Sequence, residues 1–495
     1  MILPRESGIL LHPSSLPGPD GIGDLGPECY RWIDFLHQSG CKLWQILPLG
    51  PTGYGDSPYQ CFSAFAGNPY LISPVLLLEQ NLLNRDDLLD RPDFPDDLID
   101  FGPVIEWKIT LLDRAFGRFS RSRSQKLIEA YNEFCAAQAF WLDDFALFMA
   151  IKEVQGGGSW ASWPDDLRNR LPETLKTFSE QNRKLIEKHK FRQFIFFHQW
   201  AKVKQFAAEK GIKIIGDIPI FIAYDSADAW ANPELFYIDK TGKPTHVAGV
   251  PPDYFSPTGQ LWGNPLYKWN AHKKQDYQWW IKRFKSVLQM VDIVRLDHFR
   301  GFAAYWEVPA NLPTAEIGRW VKGPGKQFLG AIQKALNGLP IIAEDLGLIT
   351  PDVVELRDSF NLPGMKILQF AFAGTPEDPF LPHNYPVNCV AYTGTHDNDT
   401  TVGWYTSGTE KEKDFCRRYL SISGEHIARD LVREIWRSTA AFAITTLQDL
   451  LELGTEARMN FPGKPAGNWG WRYRASDLTP ELIERLRELN YLFSR

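Results

Sequence analysis

The sequence predicts an α/β protein built on a closed (β/α)₈ barrel, and three observations support that fold. Short apolar runs typical of strands alternate with helix-like stretches along most of the chain, which implies a parallel sheet with helical crossovers. Four of these runs end in a carboxylate, at Asp217, Asp297, Glu344 and Asp397. A (β/α)₈ barrel builds its active site from the carboxyl ends of its strands. A doubly wound sheet is the alternative, but no GxGxxG or phosphate-loop motif supports it.

Composition argues against two classes of partner. The chain has 495 residues and a formal net charge of -6 at pH 7. Nucleic acid and anionic membranes both attract basic surfaces, so neither is an expected partner. The chain also contains 18 Trp, 17 Tyr and 32 Phe. That is more tryptophan than core packing needs, and flat aromatic faces also stack on sugar rings.

The cysteines and the N-terminus bear on location. The six cysteines are scattered without a metal-binding spacing, which predicts free thiols in a reducing compartment. The N-terminus lacks signal-peptide architecture, and we expect no window of about 18 apolar residues that would span a membrane. We therefore expect a soluble cytoplasmic protein. A plastid stromal enzyme that had lost its transit peptide would look the same.

The first elements are predicted from Gly, Pro and apolar spacing. Residues 1–30 are rich in Gly and Pro and predict an ordered loop with little regular structure. A helix is predicted at 27–38, because Pro27 opens it and Gly40 stops it, and a strand follows at 42–48. The next loop presents Tyr54 and Tyr59 at a cleft, with plain packing as the alternative.

Two insertions are predicted in what we interpret as a single catalytic barrel domain, 1–495. The first, at about 81–211, is rich in helices whose charged residues indicate solvated faces. The second, at about 245–270, contains a constrained loop at 249–265. That loop has four prolines, three glycines and three aromatic residues. Long ordered loops of this kind usually carry function.

The remaining elements continue the alternation. Strands are predicted at 212–221, at the start of 291–301, and at 341–345, 364–372, 390–394 and 441–447. Helices are predicted at 274–290, 325–336, 351–360, 410–419, 427–438 and 478–490. Periodicity allows either a helix or a strand at 441–447. The strand is chosen because the alternating order requires one and because this segment contains β-branched residues.

The candidate chemistry is concentrated in residues 291–301. Side chains alternate along a strand, so Arg295 and Asp297 share one side. A cation beside a carboxylate keeps that carboxylate ionised, which suits Asp297 to act as a nucleophile. A buried ion pair at the end of a strand is the alternative interpretation.

Two later segments, at 339–347 and 389–399, share this pattern: each is a short apolar run that ends in carboxylates next to Gly, His or Asn. Several carboxylates in one cleft could bind Mg²⁺ or Ca²⁺, but Arg295 and the aromatic loops suit a sugar better. A retaining glycosidic mechanism needs an ionised nucleophile and a protonated acid. Glu344 fits the acid, because its side chain is longer and nearby negative charges should raise its pKa. Asp397 would hold ring hydroxyls, with His396 as a neutral hydrogen-bond partner.

The same residues carry a resemblance to a known family. Four short regions of the α-amylase clan resemble, in order, Asp217-Ile218-Pro219, Arg295-Leu296-Asp297-His298, Glu344-Asp345 and His396-Asp397. Wider segments, at 55–60, 263–267, 297–301 and 458–460, resemble the amylomaltase or disproportionating-enzyme family, the 4-α-glucanotransferases. The resemblance covers essentially the whole chain.

This resemblance implies a retaining transferase that cleaves an α-1,4-glucan, holds the glycosyl group on Asp297, and passes it to the 4-hydroxyl of another glucan or of glucose. It implies a barrel with mainly helical inserted subdomains, no separate C-terminal β domain, and no metal or organic cofactor. The binding residues that it implies are Tyr59, Asp217, Arg295, His396 and Asp397 around the sugar, Tyr254, Phe255 and Trp262 over the cleft, Asn264 in the matching 263–267 segment, and Tyr54 at a secondary glucan site.

Two other functions are compatible with these residues. An α-1,4-glucan hydrolase would use the same carboxylates and release reducing ends steadily. A water-excluding aromatic acceptor cleft would favour transfer instead, and the sequence supplies the aromatic residues. A non-catalytic glucan-binding scaffold is the other alternative, which the presence of Asp297, Glu344 and Asp397 disfavours.

Overall fold

The computed structural model describes residues 3–252, 256–464 and 466–495, with the backbone alone described at Tyr54. Within these residues the strands are β1 (Glu6–Leu10), β2 (Leu43–Gln45), β3 (Lys213–Ile218), β4 (His246–Val250), β5 (Gln260–Pro265), β6 (Ile293–Leu296), β7 (Ala304–Pro309), β8 (Arg319–Lys322), β9 (Ile341–Ala343), β10 (Gly364–Ile367), β11 (Cys389–Tyr392) and β12 (Phe442–Thr446).

The α-helices lie between these strands and in the insertion. They are α1 (Pro27–Gln38), α2 (Pro74–Glu79), α3 (Phe101–Phe119), α4 (Gln125–Val154), α5 (Asp165–Arg168), α6 (Pro172–Gln181), α7 (Arg183–Glu209), α8 (Ala227–Ala231), α9 (Trp269–Lys274), α10 (Gln278–Met290), α11 (Gly325–Leu336), α12 (Pro351–Ser359), α13 (Thr401–Ser407), α14 (Glu410–Leu420), α15 (Ile427–Arg437), α16 (Leu447–Leu450) and α17 (Pro480–Leu492).

Eight parallel strands form the barrel. Their order is β10-β11-β12-β1-β2-β3-β6-β9, and the two ends meet where the Ala343 N–H donates to the Pro363 carbonyl oxygen at 2.9 Å. Strands such as β11 and β12 are buried along their whole length, as parallel strands covered on both faces should be. The predicted (β/α)₈ barrel is confirmed, and the doubly wound alternative is not what the chain adopts.

The loop predicted for residues 1–30 is wrong at Glu6–Leu10, which forms β1. This strand pairs with β12 on one side and β2 on the other. Gly8 permits the close approach, since a Cβ there would lie 2.4 Å from the Leu43 Cβ. Five residues flanked by proline are too few to show a period, so the strand forms because the barrel supplies partners on both edges.

A second sheet lies outside the barrel. Its strands are antiparallel in the order β5-β4-β7-β8. The loop predicted at 249–265 is therefore partly wrong, because β4 and β5 form a hairpin at its two ends. Pro265 is tolerated because it ends the edge strand β5, and the β4–β5 register shifts between Val247 and Gly249. Strands β7 and β8 were not predicted, since short half-exposed strands leave little periodic signal.

Helices α3 to α7 occupy most of the segment 81–211. Aromatic pairs join α4 to α7, as between Phe134 and Phe197, whose ring centroids are 5.5 Å apart. By length and composition alone α4 could cross a membrane, so the expectation that no such window exists was wrong. Core helices of soluble proteins pass the same test, and 39% of the apolar window of α4 is buried within the protein.

Other helix bounds follow local backbone chemistry. The predicted bounds of α1 and α11 are confirmed. Helix α10 begins at Gln278, later than predicted, because Asp276 and Tyr277 take left-handed φ values of 48° and 55° that no helix continues through. The strand predicted at 364–372 ends at Ile367 and continues as a 3₁₀ helix. Helix α13 was not predicted.

We expect Asn490→Ala to destabilise the barrel, because one buried amide ties α17 to three other segments. Asn490 Oδ1 accepts from Ser7 Oγ at 2.5 Å and from Trp436 Nε1 at 2.8 Å, and its Nδ2 donates to the Ser39 carbonyl oxygen at 2.9 Å. Removing the amide leaves these partners buried and unpaired, which should lower the free energy of unfolding by about 2–4 kcal/mol in urea denaturation. The exposed Glu488→Ala on the same helix should change it by about 0.5 kcal/mol or less. Equal losses in the two variants would contradict this account.

Candidate active site

The predicted polar residues meet at the carboxyl ends of four barrel strands. Asp217 lies within β3 and Arg295 within β6, directly opposite one another in the parallel register. Asp297 follows β6, Glu344 follows β9, and the loop after β11 carries His396 and Asp397. Strands β3, β6 and β9 are direct neighbours in the sheet, and closure of the barrel brings the end of β11 round to face them.

Arg295 is the cation at the centre of the site. Its Nη1 lies 2.5 Å from Asp217 Oδ2, and its Nη2 lies 3.0 Å from Asp297 Oδ1. Burial disfavours its charge, but the two carboxylates raise the pKa of Arg295 well above its usual value. One guanidinium therefore orients both carboxylates from fixed positions.

Tyr59 links the Asp217 side of the site to His396. Its hydroxyl donates to Asp217 Oδ2 at 3.0 Å and lies 2.9 Å from His396 Nε2. Because the Tyr59 hydroxyl uses its hydrogen in the bond to Asp217, its oxygen accepts a hydrogen bond from His396. This arrangement places the His396 ring hydrogen on Nε2. The two rings also stack, with centroids 5.3 Å apart and planes 17° apart. Trp469 closes this aromatic group, 5.8 Å from the Tyr59 ring.

Asp397 is held as a carboxylate. Its Oδ2 lies 3.3 Å from His396 Nε2, and its Oδ1 accepts from Asn460 Nδ2 at 2.6 Å. Burial alone would raise the pKa of Asp397, but His396, Asn460 and Arg295 hold it well below its usual range. The Arg458 guanidinium donates to the Asp397 carbonyl oxygen at 2.7 Å and fixes its backbone.

Glu344 is held by main-chain donors. Its Oε2 accepts from the His298 N–H at 2.7 Å, and its Oε1 accepts from the Leu346 N–H at 2.9 Å. The left-handed φ of 48° at His298 turns that N–H away from the path of β6. Burial and the charge of Asp297 raise the pKa of Glu344 to about 8, although Arg295 and the two N–H groups oppose the shift.

The sequence suggested that Arg295 would keep Asp297 ionised, but burial outweighs that attraction. Burial raises the pKa of Asp297 to about 6, although the charge of Arg295 lowers it. The charges of Asp217 and Asp397 add to the rise. Asp297 nevertheless ionises before Glu344. Near neutral pH this gives one carboxylate and one carboxylic acid side by side, which is the division of labour that paired carboxyl chemistry needs.

The other predicted binding residues do not all lie beside the carboxylates, and two of them are outside the described residues. The Trp262 ring lies 4.9 Å from the His298 ring, at right angles to it, beside the segment that follows Asp297. Asn264 is buried, and its Nδ2 donates to the Ile222 carbonyl oxygen at 2.7 Å, which ties β5 to the segment after β3. Tyr254 and Phe255 lie outside the described residues. Tyr54 contributes its backbone to the 3₁₀ turn Tyr54–Asp56.

Sequence analysis gave no role to Arg458 and Asn460, although it matched their segment to the family. It also missed His12, a buried residue after β1 whose pKa is lowered to about 3 by burial and by nearby His396. The pairing of β11 with β12, and of β12 with β1, brings the segments that carry these three residues to Asp397 and His396. Among the described residues, no group of three or more His, Cys, Asp or Glu side chains could hold a metal ion.

Known proteins resemble this chain over its full length. Residues 11–479 match a family model described as 4-alpha-glucanotransferase. A 4-alpha-glucanotransferase of Thermus thermophilus is 50% identical, with 99% of each chain covered. A 4-alpha-glucanotransferase of Synechocystis is also 50% identical, over 100% of this chain and 99% of that one. The structure of an amylomaltase from Streptococcus agalactiae in complex with acarbose matches with a TM-score of 0.97 and 39% identity, over 99% of each chain.

Glu344→Gln should make stability less sensitive to alkaline pH. Because the pKa of Glu344 is raised to about 8, the folded state binds its proton more tightly than the unfolded state does. The wild-type protein therefore loses stability as pH rises from the usual glutamate pKa towards that value. A glutamine cannot ionise and so does not lose this stability. Between about pH 5 and pH 9 the free energy of unfolding of the variant should therefore rise by about 1–3 kcal/mol relative to wild type. This energy is reduced to allow for the partial exposure of Glu344.

The measurement is urea denaturation of both proteins across that pH range. Glutamine has only one acceptor oxygen for the His298 and Leu346 N–H groups, so a constant penalty is expected at every pH. The informative quantity is therefore how the difference in free energy of unfolding between the variant and the wild type changes with pH. Glu488→Gln, on the exposed face of α17, is the control and should show no such trend. A difference that stays flat for Glu344→Gln would contradict the raised pKa.

Proposed function

The chain belongs to the 4-alpha-glucanotransferase family, and from that premise we propose that it is a retaining transferase acting on α-1,4-glucans. It cleaves an internal α-1,4 bond and passes the glucanosyl segment to the 4-hydroxyl of another glucan or of glucose. Full-length identity of 50% to two proteins named for this activity supports the reaction. The observation that carries the mechanism is the pair Asp297 and Glu344, whose pKa values are about 6 and about 8 around one buried arginine.

The first step breaks the glycosidic bond. Protonated Glu344 gives its proton to the leaving oxygen, while ionised Asp297 attacks the anomeric carbon and forms a covalent ester with the sugar. Arg295 and its contact to Asp297 Oδ1 at 3.0 Å orient the attacking carboxylate. The leaving chain departs with a free 4-hydroxyl.

The second step reverses the roles of the two residues. Esterification removes the negative charge of Asp297, which was one cause of the raised Glu344 pKa. Burial still opposes ionisation of Glu344, but without the charge of Asp297 its pKa is lower than in the first step, and Arg295 and the two backbone N–H groups stabilise its carboxylate. Glu344 takes the proton from the acceptor's 4-hydroxyl as that oxygen attacks the anomeric carbon and releases Asp297. The anomeric configuration is retained after two inversions.

The remaining residues hold the sugar ring. Asp397, which stays ionised because of its lowered pKa, accepts hydrogen bonds from ring hydroxyls. Tyr59, Asp217 and His396 form the connected wall beside it. Trp262 offers an aromatic face near Asp297, where stacking of the acceptor sugar would exclude water and favour transfer over hydrolysis.

The proposed partners are α-1,4-glucans and maltooligosaccharides, with glucose as an acceptor. All six cysteines are free thiols, which supports a reducing compartment such as the cytoplasm. The similar amylomaltase was solved in complex with acarbose, which supports a saccharide as the ligand of this chain.

With pure maltotriose, we expect the protein to form glucose and a ladder of longer maltooligosaccharides at nearly constant reducing ends. Asp297→Asn should lower this activity by at least about a thousandfold, since an amide cannot act as the nucleophile. Chromatography of products and an assay of reducing ends distinguish the alternatives. Rising reducing ends without longer products would identify a hydrolase, and turnover surviving in Asp297→Asn would refute the assignment of the nucleophile.

The pH dependence of kcat/KM should be bell-shaped. Activity rises as Asp297 ionises, at about pH 6, and falls as Glu344 loses its proton, at about pH 8. The two limbs belong to the coupled pair. Initial rates on maltotriose across this range test the expectation, with stability checked at each pH. Full activity maintained well above pH 8 would contradict Glu344 as the acid.

A further inference from the structure

A second cavity lies where the helical insertion meets the barrel, away from the catalytic carboxylates. Its volume is about 130 Å³, similar to that of a cavity that holds one six-membered ring. The walls come from α4, from α8 and the residues after it, and from the start of α10, with the segment around Phe65 beneath. None of its lining residues is used in the mechanism above.

Aromatic side chains form the apolar part of this cavity. Phe65 lies at the centre, with its ring edge-to-face against Phe140 at 5.6 Å and against Trp279 at 5.8 Å, and parallel to Trp141 at 6.4 Å. Phe140 is 44% exposed, although it is a large apolar residue. A partly open aromatic face at the edge of a cavity is suited to stacking on the apolar face of a sugar ring.

Polar groups around the aromatic residues have unused hydrogen-bonding capacity. Trp279 is 7% exposed, and its indole Nε1 is buried without a hydrogen-bond partner among the described residues. A buried indole N–H normally has an acceptor. The amides of Gln275 and Gln278 line the same cavity from exposed positions. A ligand rich in hydroxyl groups could exchange hydrogen bonds with both of these exposed amides.

The charges around the cavity are balanced. Asp144 is paired with Arg170 at 2.5 Å, and the Asp228 carboxylate accepts the Ala64 N–H at 2.7 Å. Lys282 lies over the Phe140 ring, 5.3 Å from its centroid. With no excess of either sign, the cavity suits a neutral polyhydroxylated ligand better than a phosphate or a carboxylate.

We propose that this cavity binds a segment of α-1,4-glucan away from the bond being cut. The choice of this sugar depends on the proposed function. The site adjoins the active-site wall through one short segment, since Phe65 lies six residues after Tyr59. Helix α8 fixes that segment through Asp228 and through the Ala227 N–H, which donates to the Phe62 carbonyl oxygen at 2.9 Å. A glucan held here would raise the effective concentration of its other segments at the catalytic cleft.

Binding is tested with maltoheptaose on Asp297→Asn protein, which should leave the ligand intact, by isothermal titration calorimetry. We expect two classes of site in this parent. Adding Phe140→Ala should abolish or weaken one class about 3- to 10-fold, as expected for loss of one stacked aromatic ring. Gln278→Ala is a second, polar variant that should weaken the same class. Tyr491→Ala, at an 84% exposed aromatic residue on α17, is the control and should keep both classes.

The catalytic readout uses the active protein. Phe140→Ala should raise KM for long amylose several-fold while leaving kcat/KM for maltotriose unchanged, because a trisaccharide in the cleft would not reach the second site. A single class of site in the parent, or isotherms and amylose kinetics insensitive to both Phe140→Ala and Gln278→Ala, would overturn the proposal. Glucan binding that depends on Phe140 in a protein unable to transfer maltotriose would instead refute the proposed function and leave this site standing.

Discussion

The buried guanidinium of Arg295 is the interaction on which the site depends. It lies 2.5 Å from Asp217 and 3.0 Å from Asp297, so one buried cation compensates two carboxylates. Removing one member of such a group leaves an uncompensated buried charge, which is costly. Asp217 in turn accepts from Tyr59, and Tyr59 contacts His396. The positions of these side chains therefore follow from the register that places β3 beside β6.

The same low-dielectric environment separates the pKa values of the two carboxyls that we propose as catalytic, Asp297 and Glu344. Burial raises the pKa of both, but Arg295 contacts Asp297 directly, whereas Glu344 meets the negative charge of Asp297. Two residues of nearly identical chemistry thus hold different protonation states near neutral pH. The pKa of Asp397 is lowered instead, because His396 and Asn460 donate hydrogen bonds to its carboxylate. Three acids close together in space are thus suited to three different roles, because each has different neighbours.

Much of the fold could be predicted because its signals are local. Helices α1 and α11 begin and end where proline, glycine and apolar spacing indicated, and β12 was identified from its β-branched residues and its place in the alternating order. The elements that were missed have weak local signals. Strand β1 forms because β12 and β2 hydrogen-bond to both of its edges. The strands of the outer sheet are short and half-exposed, and β5 carries glycine and proline that resemble a loop.

The sequence by itself determined the chemistry available at the strand ends: which carboxylates exist, that Arg295 and Asp297 share a face, and that the chain resembles a family of glucan-transferring enzymes. The tertiary structure decided the environment of those groups. It brought Arg458 and Asn460 to Asp397 from more than sixty positions along the chain, and it set the order in which Asp297 and Glu344 ionise. The physical reason is that a pKa depends on burial and on charges and donors that lie close in space. Segments far apart in sequence supply these groups only when the strands have paired in the folded barrel.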